Sequence, residues 1–296
     1  MKEQGIILVS YGSRGVVQLD DGRQMAAKYR RSVGRPYCGD RVGVEWADGE
    51  SAVVTAIHAR TNQFARANAR GQKQVVAANL DQVLIVIAPA PEPSRDLVER
   101  YLVAAHSLGI KPVIVVNKAE LLETASFDRT GPLSRLDEYR ELGYEVIETC
   151  CMGAPGTAGL EHSLEKQTSI LAGQSGVGKS SLVNQLLPDL ELQTGALSRV
   201  TGKGTHTTTT TIMYTLPCGG RLIDSPGVWE YGLWELDRQE LADGFIDFAH
   251  ADTSCRFNDC KHSGEPGCAV IQAIEDGKIR EWRYQSYLRL LAQAGL

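Results

Sequence analysis

The stretch GQSGVGKS, residues 173–180, fits the phosphate-loop pattern G-x-x-x-x-G-K-[ST]. In such a loop the backbone N–H groups surround a β-phosphate, the lysine reaches the β- and γ-phosphate oxygens, and the serine hydroxyl binds Mg²⁺. The strand-like SILA precedes it and the helix-like SSLVNQLL follows, as phosphate binding at a helix N-terminus requires. A glycine-rich turn that binds nothing is the alternative. The predicted nucleotide-binding residues are Gly173, Gln174, Ser175, Gly176, Val177, Gly178, Lys179, Ser180 and Ser181, with Ser180 on magnesium and Lys179 also catalytic.

A second motif, RLIDSPG, places Asp224 at the end of a short apolar strand. An aspartate in this position can hold the water shell of Mg²⁺, and the backbone N–H of Gly227 can sense a γ-phosphate. We predict that Asp224 binds nucleotide and acts in catalysis and that Gly227 binds nucleotide. A plain strand-ending turn is the alternative.

The polar segment TGKGTHTTTTTIMY lies between these two motifs. A segment with so little to bury can be ordered by Mg²⁺ and a γ-phosphate. A hydroxyl of Thr207 or Thr208 would bind the nucleotide and its magnesium, and the run of threonines leaves the choice open. A solvated loop or an edge strand is the alternative.

A candidate base-reading motif, VIVVNKAE, lies upstream, with Asn117, Lys118 and Glu120 close to the pattern N-K-x-D. The acid accepts hydrogen bonds from N1–H and the exocyclic amine of guanine, a donor pair that adenine lacks. Glu120 is one methylene longer than the usual aspartate. Cys150 and Cys151, in ETCCMG, are predicted to form a second base loop, and core packing is the alternative. Because the base motif precedes the phosphate loop, the chain is predicted to be a circularly permuted GTPase.

A cysteine cluster, CRFNDCKHSGEPGC, has the spacing C-x4-C-x-H-x5-C. Three thiolates and one imidazole form a closed tetrahedral set, which is the structural pattern of zinc. The sequence therefore predicts one structural zinc ion, with core or redox cysteines as the alternative. The predicted ligands are Cys255, Cys260, His262 and Cys268.

The surrounding pattern predicts an α/β protein of three parts. Five short strand-like runs over residues 5–58 predict an OB-type β-barrel, with an SH3-like barrel as the alternative. The segment from Arg60 to Gln74 lacks strand alternation and is predicted to be a linker. Alternating buried strands and helices then predict a mainly parallel sheet with helices on both faces. We expect the barrel in residues 1–74, the GTPase unit in 75–236 and a helical zinc-binding unit in 237–296.

Charge and cysteine content limit the location and partners of the chain. The net charge is −5, yet residues 1–77 carry 12 Lys+Arg against 7 Asp+Glu, so the N-terminal part is basic. An odd number of cysteines, 7, behind a start without an apolar signal segment predicts the reducing cytoplasm. The longest apolar runs are too short to span a bilayer, and no membrane partner is expected.

With these motifs in this order, the chain closely resembles the ribosome-small-subunit-dependent GTPases of the RsgA/YjeQ family. The resemblance rests on GQSGVGKSSL, GTHTTTT, IDSPGV, GLWEL and CRFNDCKHSGEPGCAV. It implies hydrolysis of GTP to GDP, stimulated by the small ribosomal subunit, and a role in late maturation of that subunit. It also implies rRNA binding through the barrel and the zinc unit. We expect a monomer.

Residues after the D-x-P-G motif suggest how hydrolysis is controlled. Val228 and Trp229 stand where a water-orienting glutamine would be expected, and neither can orient a water as glutamine does. Slow intrinsic hydrolysis follows, and His206 in GTHTTT is our candidate for positioning the attacking water. A solvated or RNA-binding histidine is the alternative. The competing functions are an RNA-binding module stabilised by nucleotide and a small-molecule kinase with a phosphate loop.

Overall fold

The N-terminal part of the computed structural model is a closed barrel of five strands. The structure describes residues 2–47, 51–67, 73–124, 126–128, 130–190, 211–225, 236–250 and 254–296. The barrel strands are β1 Lys2–Tyr11, β2 Arg14–Leu19, β3 Gln24–Tyr29, β4 Arg41–Ala47 and β5 Ser51–Ile57. Antiparallel pairing of β1 with β4 and parallel pairing of β3 with β5 close the barrel. The predicted OB-type barrel is confirmed.

Alternate side chains of the barrel strands point inwards and form the apolar interior of the barrel. Ile7, Val17, Val42, Val44 and Val54 are fully buried and pack together. Because successive side chains of a strand point to opposite faces, each strand can contribute to this core while its other face meets different surroundings. The barrel is thus held by its own apolar cluster.

The predicted linker over Arg60–Gln74 is wrong. The chain there forms β6 Gln63–Ala67, which pairs with β7 Lys73–Ala78 as an antiparallel hairpin. Two features stabilise the hairpin although its strands show little apolar alternation. Phe64, at 1% exposure, packs into the main core, and the pairing of the two strands satisfies their backbone hydrogen bonds. The expected domain boundary at 74/75 falls inside β7.

A mainly parallel sheet follows the hairpin. Its strands are β8 Gln82–Ile87, β9 Lys111–Asn117, β10 Glu145–Thr149, β11 Thr168–Ala172, β12 Ile212–Thr215 and β13 Arg221–Asp224. They lie in the order β10-β9-β8-β11-β13-β12, and only β12 is antiparallel to its neighbour β13. β12 also pairs with β1, so the barrel and this sheet share one hydrogen-bonded ladder. The carboxyl ends of β9, β10, β11 and β13 therefore lie along one edge.

Helices connect these strands. They are α1 Leu97–Leu108, α2 Leu136–Glu141, α3 Ala158–Ser163 and α4 Lys179–Leu186, with short 3-10 helices at Ala119–Leu121 and Pro132–Arg135. A further 3-10 helix, Arg31–Val33, lies between β3 and β4 of the barrel. α1 buries Tyr101 and Leu102 in the core of the sheet and turns Val103 towards the C-terminal part. Within the described ranges, no helix is both long and apolar enough to cross a membrane.

The C-terminal part is helical, as predicted. It consists of α5 Arg238–Asp243, α6 Ile246–His250, α7 Ala269–Glu275 and α8 Glu281–Ala294. α5 begins with a capping box in which Asp237 accepts from the Glu240 N–H and Glu240 accepts from the Asp237 N–H. Phe245, Phe248 and Tyr287 form its aromatic core, with ring centroids 5.1–5.6 Å apart.

Candidate functional site: a nucleotide site and a metal centre

The phosphate loop joins the end of β11 to the start of α4. Gly173, Gly176 and Gly178 all have positive φ, at 138°, 83° and 94°, conformations that glycine adopts without steric cost. A Cβ on Gly173 would lie 2.2 Å from the Val86 carbonyl oxygen of β8. The first glycine is therefore required for the close approach of the loop to the neighbouring strand.

Side chains of the loop take up distinct positions. The Lys179 Nζ donates to the carbonyl oxygens of Gly173 at 2.6 Å and Gln174 at 2.8 Å, so its ammonium lies across the loop. Val177 is fully buried, whereas Ser175, Ser180 and Ser181 are exposed. An exposed hydroxyl at the first turn of α4 is available to a metal ion held by phosphates.

Asn117 binds the phosphate loop directly. Its Nδ2 donates to the Val177 carbonyl oxygen at 2.9 Å, and its Oδ1 accepts from the Thr149 hydroxyl at 3.2 Å. A Cβ on Gly178 would lie 2.3 Å from that Nδ2 atom. The structure thus brings the predicted base motif and phosphate loop together although they are far apart in the sequence.

Lys118 makes a second connection to the same loop. It has φ of 58°, in the left-handed region, and its Nζ donates to the Gly176 carbonyl oxygen at 2.8 Å and to that of Ala90. The aliphatic stem therefore spans the space beside the phosphate loop, where a base would stack. The role of Lys118 at the base stays a prediction.

The predicted acid and second base loop lie beside this lysine. Glu120 is exposed on the 3-10 helix after β9, and Cys150 and Cys151 follow β10, whose Thr149 pairs with Asn117. Burial raises the pKa of the Cys151 thiol, and the charges of Cys150 and Glu120 raise it further. Glu120 and the two thiols therefore share one side of the site. Cys150 is buried, so it also fills the core.

Asp224 lies at the carboxyl end of β13, next to β11, and interacts with Lys179. Burial raises the pKa of Asp224, and the Lys179 charge opposes that shift. Burial likewise lowers the pKa of Lys179, against the influence of Asp224. A partly desolvated carboxylate beside a phosphate loop favours an added cation, so the donor set suits Mg²⁺.

Four predicted site residues, His206, Thr207, Thr208 and Gly227, lie outside the described residues. The sequence analysis missed the loop after β8, which holds the other end of the site. There the Gln174 Nε2 donates to the carbonyl oxygens of Pro91 at 3.0 Å and Glu92 at 2.8 Å. Backbone carbonyls carry no residue signature, and only the proline-rich APAPEP marks this segment in the sequence.

The predicted metal ligands converge in the C-terminal part. The donor atoms of Cys255, Cys260, His262 and Cys268 all lie within 4.8 Å of one another. The His262 Nδ1 is 3.5 Å from both the Cys255 and the Cys268 sulfur. Typical zinc bond lengths in a tetrahedron place nitrogen and sulfur ligands about 3.5 Å apart. The cluster therefore fits a tetrahedral zinc ion.

The loop of this cluster is held by groups that the sequence analysis did not identify. Glu265 accepts from the N–H groups of Lys261 at 3.0 Å and Ser263 at 2.8 Å. The Tyr287 hydroxyl of α8 donates to the Lys261 carbonyl oxygen at 2.9 Å. Helix α8 therefore holds the loop from Cys255 to Cys268, called the metal loop below, at Lys261.

Comparison with known proteins agrees with this geometry. The model of the RsgA GTPase family matches residues 57–234. A small ribosomal subunit biogenesis GTPase RsgA of Pseudomonas putida is 42% identical over 299 residues, covering 98% of this chain and 85% of the relative. Its counterpart in Ectopseudomonas mendocina is 47% identical over 251 residues, covering 84% of this chain and 73% of the relative.

Solved structures show the same architecture. YjeQ from Thermotoga maritima has a TM-score of 0.76 and 28% identity, with 99% of each chain covered. YloQ, a circularly permuted GTPase, has a TM-score of 0.76 and 25% identity, with 100% of this chain and 96% of YloQ covered. The predicted permutation is confirmed. With its nucleotide site, metal cluster, permuted order and sequence match in agreement, the chain belongs to the RsgA GTPase family.

Proposed function

We propose that this protein hydrolyses GTP to GDP and phosphate in late maturation of the small ribosomal subunit, and that the subunit stimulates the reaction. The observation that carries the proposal is the hydrogen bond of Asn117 to the phosphate loop, which joins a base motif to a phosphate motif in one site. Such a site suits a guanine nucleotide, because an acid at Glu120 can accept from the N1–H and amine of guanine.

The residues of the site have separate roles at the phosphates, the magnesium ion and the base. Lys179 reaches the β- and γ-phosphate oxygens, and the backbone of residues 173–178 encloses the β-phosphate. Mg²⁺ would be held, directly or through water, by Ser180, Asp224 and a hydroxyl of Thr207 or Thr208, and it would supply positive charge against the phosphate oxygens. Gly227 contacts the γ-phosphate, while Cys150 and Cys151 line the base.

His206 positions the attacking water in this mechanism. The proposal rests on Val228 and Trp229, which provide no amide to orient a water. A His206→Ala variant should bind GTP normally and lose most subunit-stimulated turnover, which single-turnover kinetics would measure. Unchanged stimulated turnover would exclude His206 from the reaction.

Beyond the nucleotide site, we propose that rRNA is the partner of the barrel and the zinc unit. The basic excess of residues 1–77 supports this role for the barrel.

We assign a structural Zn²⁺ to the cluster of three cysteines and one histidine. We also propose units 1–74, 75–236 and 237–296, and apolar clusters inside the barrel and inside the C-terminal part support the two outer units. We further propose a monomer that works in the cytoplasm, where ribosomes mature.

The decisive experiment is GTP turnover with and without purified small ribosomal subunits. A Lys179→Ala variant supplies the blank, since it lacks the ammonium that reaches the phosphates. We expect strong stimulation by the subunit that the blank lacks. No stimulation, together with subunit binding that is the same with GTP, GDP or neither, would replace this proposal with an RNA-binding module.

A further inference from the structure

The C-terminal helix α8 holds the first turn of α1 with two arginines. The Arg289 guanidinium binds the Asp96 carboxylate through Nη2 at 2.7 Å and Nε at 3.0 Å. Asp96 immediately precedes α1 and is 9% exposed. One turn further, Arg283 lies 3.4 Å from Glu99 and 2.8 Å from Asp247, and all three side chains are buried. Two buried carboxylates at the start of α1 thus depend on α8 for their counter-charge.

The loop that enters this same turn holds the nucleotide site. The carbonyl oxygens of Pro91 and Glu92 accept from Gln174 in the phosphate loop, and that of Ala90 accepts from Lys118 in the base motif. Asp96 follows Glu92 by four positions. The segment between strand β8 and helix α1 therefore contacts the phosphate loop and base lysine at one end and α8 at the other.

The metal loop contacts α8 as well, through the hydrogen bond from Tyr287 to the Lys261 carbonyl oxygen. Tyr287 and Arg289 are two residues apart on the same helix. Helix α8 therefore makes one hydrogen bond to the metal loop and an ion pair to Asp96, and the backbone from Asp96 back to residues 90–92 connects that ion pair to the carbonyls that bind Lys118 and Gln174.

We propose that Arg289 is a positioning residue for the nucleotide site, acting through Asp96 on the loop that holds Lys118 and Gln174. The inference rests on the proposed function and adds a coupling between the zinc-bearing part and nucleotide affinity. Coupling between two sites is reciprocal. A partner that displaces α8 changes the affinity for guanine nucleotide, and bound nucleotide changes the affinity for that partner by the same factor.

The test measures the GDP dissociation constant by calorimetry, in the presence of Mg²⁺, on the full chain. Arg289→Gln and Asp96→Asn should each weaken GDP binding by about 3- to 10-fold. The double variant should bind no more weakly than the weaker single one, because both changes break one pair. Arg289→Lys, which keeps the charge, should recover part of the affinity.

The matched control is Arg280→Gln. Arg280 also joins the start of α8 to the GTPase part, but through Glu138 and Glu141 of α2, and among the described residues no hydrogen bond or ion pair links either glutamate to residues 90–96. Its GDP affinity should stay within about twofold of the unmodified chain, since ion pairs that remain accessible to solvent contribute little. Thermal denaturation without nucleotide should give a lower transition temperature for Arg289→Gln than for Arg280→Gln, because only the former leaves a buried carboxylate without its counter-charge, so GDP binding is compared at a temperature at which both variants are folded.

Two results would overturn the inference. One is GDP affinity in Arg289→Gln equal to that of the unmodified chain, and the other is an equal loss in Arg280→Gln. In both cases the unmodified chain still binds GDP, so the proposed function stands. An unmodified chain that binds no guanine nucleotide would instead overturn the proposed function, and the coupling with it.

Discussion

Gly178 shows at the residue scale how a missing side chain makes room for the base motif. The Asn117 amide occupies the position that a Cβ on Gly178 would approach to 2.3 Å. Neither the amide nor the buried carbonyl of Val177 can move without losing their hydrogen bond. The two distant motifs are thus fitted to each other atom by atom.

A Gly178→Ala variant should therefore lose guanine nucleotide binding by at least about 10-fold, because the new methyl group displaces Asn117 as well as straining the backbone. Gly219→Ala is the matched control. Gly219 has a similar φ of 82° but open space where its Cβ would lie. Equilibrium titration with a fluorescent GDP analogue would compare them. Equal losses in both variants would show that backbone strain alone matters.

Glu120 should decide which base is bound. Glu120→Ala removes the acceptor of the guanine N1–H and amine and should reduce the preference for GDP over ADP by about 10- to 100-fold. Glu120→Asp should keep the preference, because it retains the carboxylate. Competition titrations of both variants with GDP and ADP would measure this. An unchanged preference in Glu120→Ala would assign base reading to another group.

At the scale of elements, the metal loop lacks the means to fold alone. Apart from the ends of the loop, its residues are mostly exposed, and Glu265, Tyr287 and a few backbone hydrogen bonds hold it. A metal ion that links four donors would therefore provide much of its stability.

If the cluster holds the proposed zinc ion, a Cys260→Ser variant should bind little of it and unfold at a lower temperature, because a closed tetrahedral site loses one of its four ligands. Cys218→Ser is the control, since Cys218 lies outside the cluster. Metal content by mass spectrometry should be about one zinc per chain in the control. One zinc per chain in Cys260→Ser as well would exclude Cys260 as a ligand.

The hairpin formed by β6 and β7 was not predicted from the sequence. Its sequence QFARA and KQVVAA offers little alternation, and pairing depends on the partner strand rather than on either segment alone. By contrast, β8 is buried along its whole length and reads as a continuous apolar run. Its neighbour α1 shows helical periodicity, so both were predicted correctly.

At the scale of the whole molecule, buried charge joins the C-terminal part to the GTPase part. Arg283 is 1% exposed and binds Asp247, while Glu99 also accepts from Tyr139 at 2.6 Å. Burial raises the pKa of Glu99, and the Arg283 charge opposes that shift. This network spans α1, α2, α6 and α8.

Arg283→Met should lower the free energy of unfolding by about 3–5 kcal/mol, because it leaves Asp247 and Glu99 buried without a counter-charge. Arg280→Met, which breaks pairs that are at least partly accessible to solvent, should cost at most about 1 kcal/mol. Urea denaturation followed by circular dichroism would measure both. Equal effects of the two substitutions would refute the special role of the buried arginine.

The sequence by itself determined the chemistry of this protein. Phosphate, base and metal motifs depend on residue types at short spacings, such as the glycines and lysine of GQSGVGKS or the donors Cys255–Cys268, so they can be read locally. The barrel and parallel strands were also predictable, because burial imposes their periodicity on the chain.

Only the tertiary structure decided how these motifs are held. The bond from Asn117 to Val177 joins residues 60 positions apart, and the bond from Arg289 to Asp96 joins residues 193 apart. The carbonyls of residues 90–92 are identical in kind to every other carbonyl of the chain. Such contacts depend on where the backbone passes in space, and no local pattern of side chains encodes that path.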